Sequence, residues 1–178
     1  MAPAAIVPTG ASRTFGCDEI IVSKTDLQGR MTYVNDVFLR VAHYDEHDVL
    51  GRPHSLIRHP EMPRAVFALL WQEIKAGREI FAYVNNLASD GVSYWVFAHV
   101  TPTWSGDKIV GYHSNRRAPD PSAVRVIEPI YRELLAAERP HARPSDAIDA
   151  STAVLAAKLD AIGMTYDEFV WSLAGASA

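Results

Sequence analysis

The sequence predicts an α+β fold: an antiparallel sheet with helices gathered in the middle of the chain. Three observations carry that prediction. Residues 20–35 read as a β-hairpin, residues 79–115 as three further strands joined by tight turns, and the stretch between has helical periodicity. Runs of strands flanking a run of helices give a sheet with segregated helices.

Each element has its own justification. "IIVSKTD" (20–26) is β-branched, "LQGR" supplies a turn, and "MTYVN" continues as the second strand. Asn35 then stands at a helix N-cap ahead of "DVFLRVA", where its side-chain oxygen can accept an unpaired helical N–H. A short helix fits "DEHDVL", capped by Asp45 and stopped by Gly51. After the irregular "PHSLIRHPEMP" (53–63), Pro63 suits the first turn of a longer helix, where its missing N–H would be unpaired anyway. Val66, Phe67, Leu70, Trp71 and Ile74 form one stripe at helical spacing, and Gly77 ends the run. Strands follow at about 79–88, 92–101 and 108–115, with Ser89-Asp90-Gly91 and Ser105-Gly106-Asp107 as turns.

The remainder is helical. "SAVRVIEPIYRELLAAE" (122–138) is a helix that Pro129 should kink or split. The proline-rich "RPHARPSD" marks a linker, assigned to 139–145, and 146–178 is a helical tail. There Ile148, Thr152, Leu155, Leu159 and Ile162 alternate steps of four and three, and Gly163 stops the run. Thr165 and Glu168 then form a capping box for a last short helix.

Composition excludes several function classes. With 178 residues and 48% hydrophobic content, the chain has material for one domain with a sizeable core. Its 17 basic and 21 acidic residues are well mixed at net charge −4, without the basic stripe of a nucleic-acid binder. A single cysteine, Cys17, rules out an internal disulfide and a Cys-based zinc cluster. The N-terminus, "MAPAAIVPTGASR", lacks the features of a signal peptide, and no run approaches the roughly 18 apolar residues of a membrane span. A cytoplasmic protein is expected. The seven histidines show no repeated ligand spacing, and no nucleophile elbow, phosphate loop or zinc-protease motif occurs. Neither an enzyme nor a metal site is expected.

Four segments carry a resemblance. "TDLQGRMTYVND" (with Asp26, Gly29 and Asn35), "GRPHSLIRHPEMPRAVFALLW", "SDGVSYWVFAHVTP" (with Tyr94 and Trp95), and "GYHSNRRAPD" followed by "VIEPIYREL" together resemble a PAS domain. Within that superfamily they resemble the sensor domain of bacterial aerotaxis receptors. Coverage is about residues 18–136, and the Arg-His-Pro-x-Met-Pro segment is its specific part. The resemblance implies a five-stranded antiparallel sheet with helices over one face and a pocket between them. It places a PAS domain at 18–118, preceded by an N-terminal extension at 1–17 and followed by an exit helix at 119–138. It also implies FAD held non-covalently in the pocket, its redox state reporting oxygen or electron-transport status. The matching positions are Asn35, Arg58, His59 and Asn86, with Glu61 where that subgroup has aspartate. Ile80 stands where a tryptophan is expected near the flavin ring, which removes a stacking or electron-relay partner. Cys17 lies far upstream of the helical segment through which photosensing PAS domains attach flavin, so that photochemistry is not expected.

The residues themselves leave alternatives open. Arg58 and His59 sit close to the free N–H groups of the Pro63 helix, a plausible anion site for a pyrophosphate. Arg58 facing the pyrimidine edge of the flavin is the alternative. Glu61 should pair with Arg58 or cap the helix, and an exposed helix entry held by that pair needs no ligand. Asn86 shares strand parity with Ile80, Ala82 and Val84, an apolar face on which a carboxamide needs a partner. That partner is either the imide-like edge of a flavin or neighbouring backbone. Asn35 fits a cap better than a ligand contact. The 66–74 stripe is mostly core, with one or two residues, Trp71 among them, facing a pocket. His99 and His113 read as structural.

Both parities of "FAYVNNL" and "VSYWVFAHV" are apolar, so the face away from the pocket also needs a cover. A partner sheet, the N-terminal segment or the tail helices would serve. Because PAS domains commonly dimerise through that face, a homodimer is expected. The function expected is a cytoplasmic FAD sensor signalling redox or oxygen status to a chemotaxis-type partner. The alternatives are a PAS dimerisation module with an empty or small-molecule pocket, and a haem gas sensor.

Overall fold

A computed structural model describes residues 6–174. Residues 1–5 of the expected N-terminal extension and 175–178 of the tail lie outside the described residues. The strands are β1 (Ile21–Thr25), β2 (Met31–Val34), β3 (Ile80–Leu87), β4 (Ser93–Ser105) and β5 (Lys108–Arg117). The helices are α1 (Asp36–Ala42), α2 (Glu46–Val49), α3 (Arg64–Lys75), α4 (Pro121–Glu138), α5 (Pro144–Ile162) and α6 (Tyr166–Ala174), with a 3₁₀ turn at His54–Ile57. Among them, none is long and apolar enough to cross a membrane.

The sheet runs β2-β1-β5-β4-β3, with antiparallel neighbours throughout. The chain leaves β2 at one edge and re-enters at β3 on the other, so the connecting helices lie across one face. Strand alternation sets what they meet. In register, Ser23 pairs with Ser114, Val100 with Ser114, Ala98 with Arg116 and Asn86 with Tyr94, which puts these residues on one inner face. Phe38, Val41, Ile57 and Val66 close over that face with at most 1% of their surface exposed. Each such side chain contributes roughly 1.5–3 kcal/mol through burial.

The predicted elements are all present, and the differences at their boundaries have physical causes. Asn35 caps α1: its Oδ1 accepts from Phe38 N at 3.0 Å. Thr165 and Glu168 form the expected reciprocal box, at 2.7 and 3.3 Å. Pro63 is the N-cap residue of α3 rather than part of its first turn. Pro129 lies inside an unbroken α4. Pro144 occupies the first turn of α5, where proline is favoured, so the linker is shorter than 139–145. β4 continues to Ser105 through Pro102, because β3 pairing ends at Val100 and the free edge beyond it tolerates proline. β5 runs on to Arg117, two residues past its expected end.

The outer face is covered by this chain's own helices over β3 and β4. Trp171 of α6 packs on Phe81 and Phe97, with ring centroids 4.6 and 5.8 Å away. Tyr131 of α4 lies 6.0 Å from Trp95, and its hydroxyl donates to Tyr83 O at 2.7 Å. The free edge of β3 is closed as well: Asn85 N donates to Met62 Sδ at 3.2 Å, and His59 N donates to Asn85 O at 3.4 Å. Closing an edge in this way removes a template for unwanted strand pairing. On the N-terminal side, Thr9–Arg13 runs beside the start of β4, bonded to Gly91 and Ser93.

Candidate functional site

Between the inner face of the sheet and α3 lies a cavity of about 250 Å³. Its volume is slightly below the roughly 300–1,000 Å³ of small-molecule sites, so it can hold a ring system but not a whole dinucleotide. One wall is the apolar stripe of α3: Phe67, Leu70, Trp71 and Ile74 all line it. Four of the five stripe residues thus face the cavity, more than the one or two expected. Trp71 is steadied by Tyr112, at 5.5 Å and edge-on, and it leans over Gly29. A Cβ there would come within 3.0 Å of the indole, and φ is +76°, so glycine avoids both a crowded contact and backbone strain. The sheet supplies the opposite wall through Val84, Ala98 and Val100.

Asn86 projects from β3 into this apolar slot. It is 3% exposed, and its Nδ2 is buried without a hydrogen-bond partner. Neighbouring backbone therefore does not satisfy the amide's donor, which was one of the two possibilities left open by the sequence. Arg58 pairs with Asn86 across an isolated bridge, lies 4.2 Å from the Phe67 ring centroid, and donates to Met62 O at 2.8 Å. Burial, then Arg64, lowers its pKa, while Glu138 opposes. Arg58 also borders a second, more open cleft of about 520 Å³ between Pro60–Arg64 and the end of α4. Arg58 thus lines both the cavity and this cleft.

Other expected site residues have different tasks. His59 is buried but does not line the cavity: its Nδ1 accepts from Glu61 N at 3.1 Å, closing its own turn. The expectation that it faces a cofactor alongside Arg58 is corrected accordingly. Asn35 spends its carboxamide on Phe38 N, Val22 N and Ile20 O, at 3.0, 3.0 and 2.8 Å, and is not a cavity wall. Ile80 does not line the cavity but packs behind its wall residues Ile74, Val100 and Tyr112. Glu61 forms no ion pair with Arg58 among the described residues. The helix-capping role expected of it belongs to Glu138, whose Oε1 accepts from Arg64 N at 2.6 Å. That contact joins the end of α4 to the start of α3, across 74 residues.

The sequence reading missed a polar cluster at the far end of the cavity. Arg116, 2% exposed, donates from Nε to Ser114 Oγ at 3.0 Å and from Nη2 to Ser23 Oγ. Its Nη2 also lies 3.2 Å from His54 Nε2, and its guanidinium carbon is 5.4 Å from the Phe38 ring centroid. The remaining Nη1 is buried without a partner. Because a guanidinium can only donate, His54 Nε2 must accept, so the imidazole is neutral. Burial and the adjacent Arg116 push its pKa down to about 3. Burial likewise lowers Arg116 to about 10, which leaves it cationic at neutral pH. Among the described residues, no aspartate or glutamate lines the cavity. The available signal was the shared parity of Tyr112, Ser114 and Arg116, lost when the last strand was ended at 115.

Comparison with known proteins agrees with the fold. Residues 31–113 match the PAS fold family. The chain is 38% identical over 117 residues to the aerotaxis receptor of Escherichia coli (strain K12), a match covering 66% of this chain and 23% of the receptor. It is 28% identical over 83 residues to the nitrogen fixation regulatory protein of Klebsiella pneumoniae, covering 47% of this chain and 17% of that protein. The chain thus spans less than a quarter of the length of either relative. In fold it is similar to the light-state structure of the blue-light photoreceptor Aureochrome1 LOV, with a TM-score of 0.57 at 18% identity, covering 61% of this chain and 88% of that one. The five-stranded sheet with its helical cover has the PAS fold.

Proposed function

We propose that this PAS domain binds FAD non-covalently and signals redox or oxygen status to another protein, as its similarity to an aerotaxis receptor suggests. The observation that carries the reading is Asn86: a buried, unpaired carboxamide N–H in an otherwise apolar slot. Leaving such a group unpaired costs roughly 1–3 kcal/mol, so a ligand with a complementary acceptor gains by that amount. A flavin ring supplies reversible electron transfer when bound and offers carbonyl acceptors on one edge. Phe67, Leu70, Trp71 and Ile74 would exclude water from the ring, and Asn86 would orient its edge. Arg58, which lines both the cavity and the outer cleft, would hold the pyrophosphate of the part that remains outside. The haem alternative is weakened by His54, whose Nε2 is already engaged by Ser23 and Arg116.

The output side follows from β3. Asn86 faces the cavity, while Tyr83 on the opposite face accepts the Tyr131 hydroxyl and Phe81 carries Trp171. A change in what Asn86 binds is therefore felt on the strand that seats α4 and α6, the surface through which a partner in trans would read the state.

The test is the absorption spectrum of gently purified protein, followed by denaturation and identification of what is released. A flavin spectrum with FAD released, and its loss in Asn86→Leu, is the expected result. A colourless protein that takes up no added FAD would overturn the reading in favour of a dimerisation module, and a Soret band would favour haem.

A further inference from the structure

The cavity holds a buried cation that, among the described residues, meets no carboxylate. Arg116 is fixed from three sides, by Ser114 at Nε, by Ser23 and His54 at Nη2, and by the Phe38 ring. All of these partners are neutral. The fourth direction, Nη1, is buried and unpaired, and Arg116 itself lines the cavity. A buried arginine kept for structure alone is ordinarily paired with an acid, because an uncompensated buried charge is strongly destabilising. Here Ser23, Ser114 and His54 orient the guanidinium without neutralising it, as expected of a group preorganised for something that arrives later.

We propose that Arg116 is the charge-reading residue of the cavity, donating from Nη1 to an anionic or acceptor-only edge of the bound ligand. The ligand class this selects is a planar molecule that is negatively charged, or becomes so, at the end remote from Arg58. For a flavin this rests on the function proposed above and adds a second contact, from β5, to that of Asn86 on β3. Asn86 and Arg116 both line this slot, and each carries one orphaned donor, Asn86 Nδ2 and Arg116 Nη1.

The experiment compares wild type with Arg116→Met, which keeps much of the volume and removes the charge. Thermal unfolding of the ligand-free chains and FAD affinity by equilibrium dialysis are the two readouts. The expected result is a ligand-free variant at least as stable as wild type, because the uncompensated charge is gone, that binds FAD at least tenfold more weakly. A folded variant with wild-type FAD affinity overturns the proposal, as does a ligand-free variant that is markedly less stable and has wild-type affinity. Should wild type itself bind no flavin, the function proposed above fails, and the charge site is then tested with acetate, citrate and inorganic phosphate as probes. A rise in wild-type melting temperature that Arg116→Met abolishes supports the site. No rise with any of the three overturns it.

Discussion

Replacing His54 with asparagine tests the electrostatics of the cavity directly. In the folded protein its pKa is pushed from 6.5 to about 3, first by burial and then by Arg116. In the unfolded chain it titrates near its ordinary value, about 6.5. Between these values the unfolded state binds a proton that the folded state refuses, so stability rises with pH. The contribution is fully present above about pH 6.5 and is lost as pH falls toward 3. At pH 4.5 the unfolded chain gains about RT ln(1 + 10²), roughly 2.7 kcal/mol, while the folded His54 is still almost wholly neutral. Carboxylates held below their ordinary range, such as Glu73 and Asp90, add their own acid sensitivity. Comparison with His54→Asn cancels it. Asparagine keeps an acceptor for Arg116 and cannot titrate. Urea unfolding followed by tryptophan fluorescence at pH 7.5 and 4.5 gives both stabilities. Wild type should lose about 2–3 kcal/mol more than the variant over that interval. Parallel pH curves would refute a neutral, half-buried histidine beside Arg116.

Two further substitutions probe how the scaffold is held. Tyr131→Phe removes the 2.7 Å bond to Tyr83 O and orphans a carbonyl on the edge strand, which should cost about 1–3 kcal/mol in urea unfolding; an unchanged midpoint would show that α4 is not anchored there. Gly111→Ala would place a Cβ 2.3 Å from Thr25 O, forcing β1 and β5 apart. A loss of about 1–3 kcal/mol or more is expected, read as a lower melting temperature, and a neutral effect would rule out the close approach of these strands.

The fold was largely legible because its signals are local. The Asn35 cap, the Thr165–Glu168 box and the helix carrying the 66–74 stripe each lie within a few residues and form as read, although the stripe faces the cavity more than expected. Strand parity also placed Asn86 on the inner face. The site was half legible. Arg58 and Asn86 line or border the cavity, whereas His59 closes its own turn and Asn35 is consumed as a cap. Glu61 looked like the partner of Arg58 because it is near in sequence, yet the carboxylate that caps α3 is Glu138. No local pattern connects residues so far apart.

The sequence by itself determined that five strands and a helical cover would form, and that one apolar strand face would carry a polar amide. Periodicity, caps and turns operate over a few residues, and a single chain displays them. Tertiary structure alone decided which polar groups would be left wanting a partner. Arg116 meets Ser23 across 93 residues and His54 across 62, and the sheet order β2-β1-β5-β4-β3 is what brings them together. Whether a buried donor is satisfied depends on every element packed around it, so the charge of the cavity existed only once the sheet had closed beneath α3.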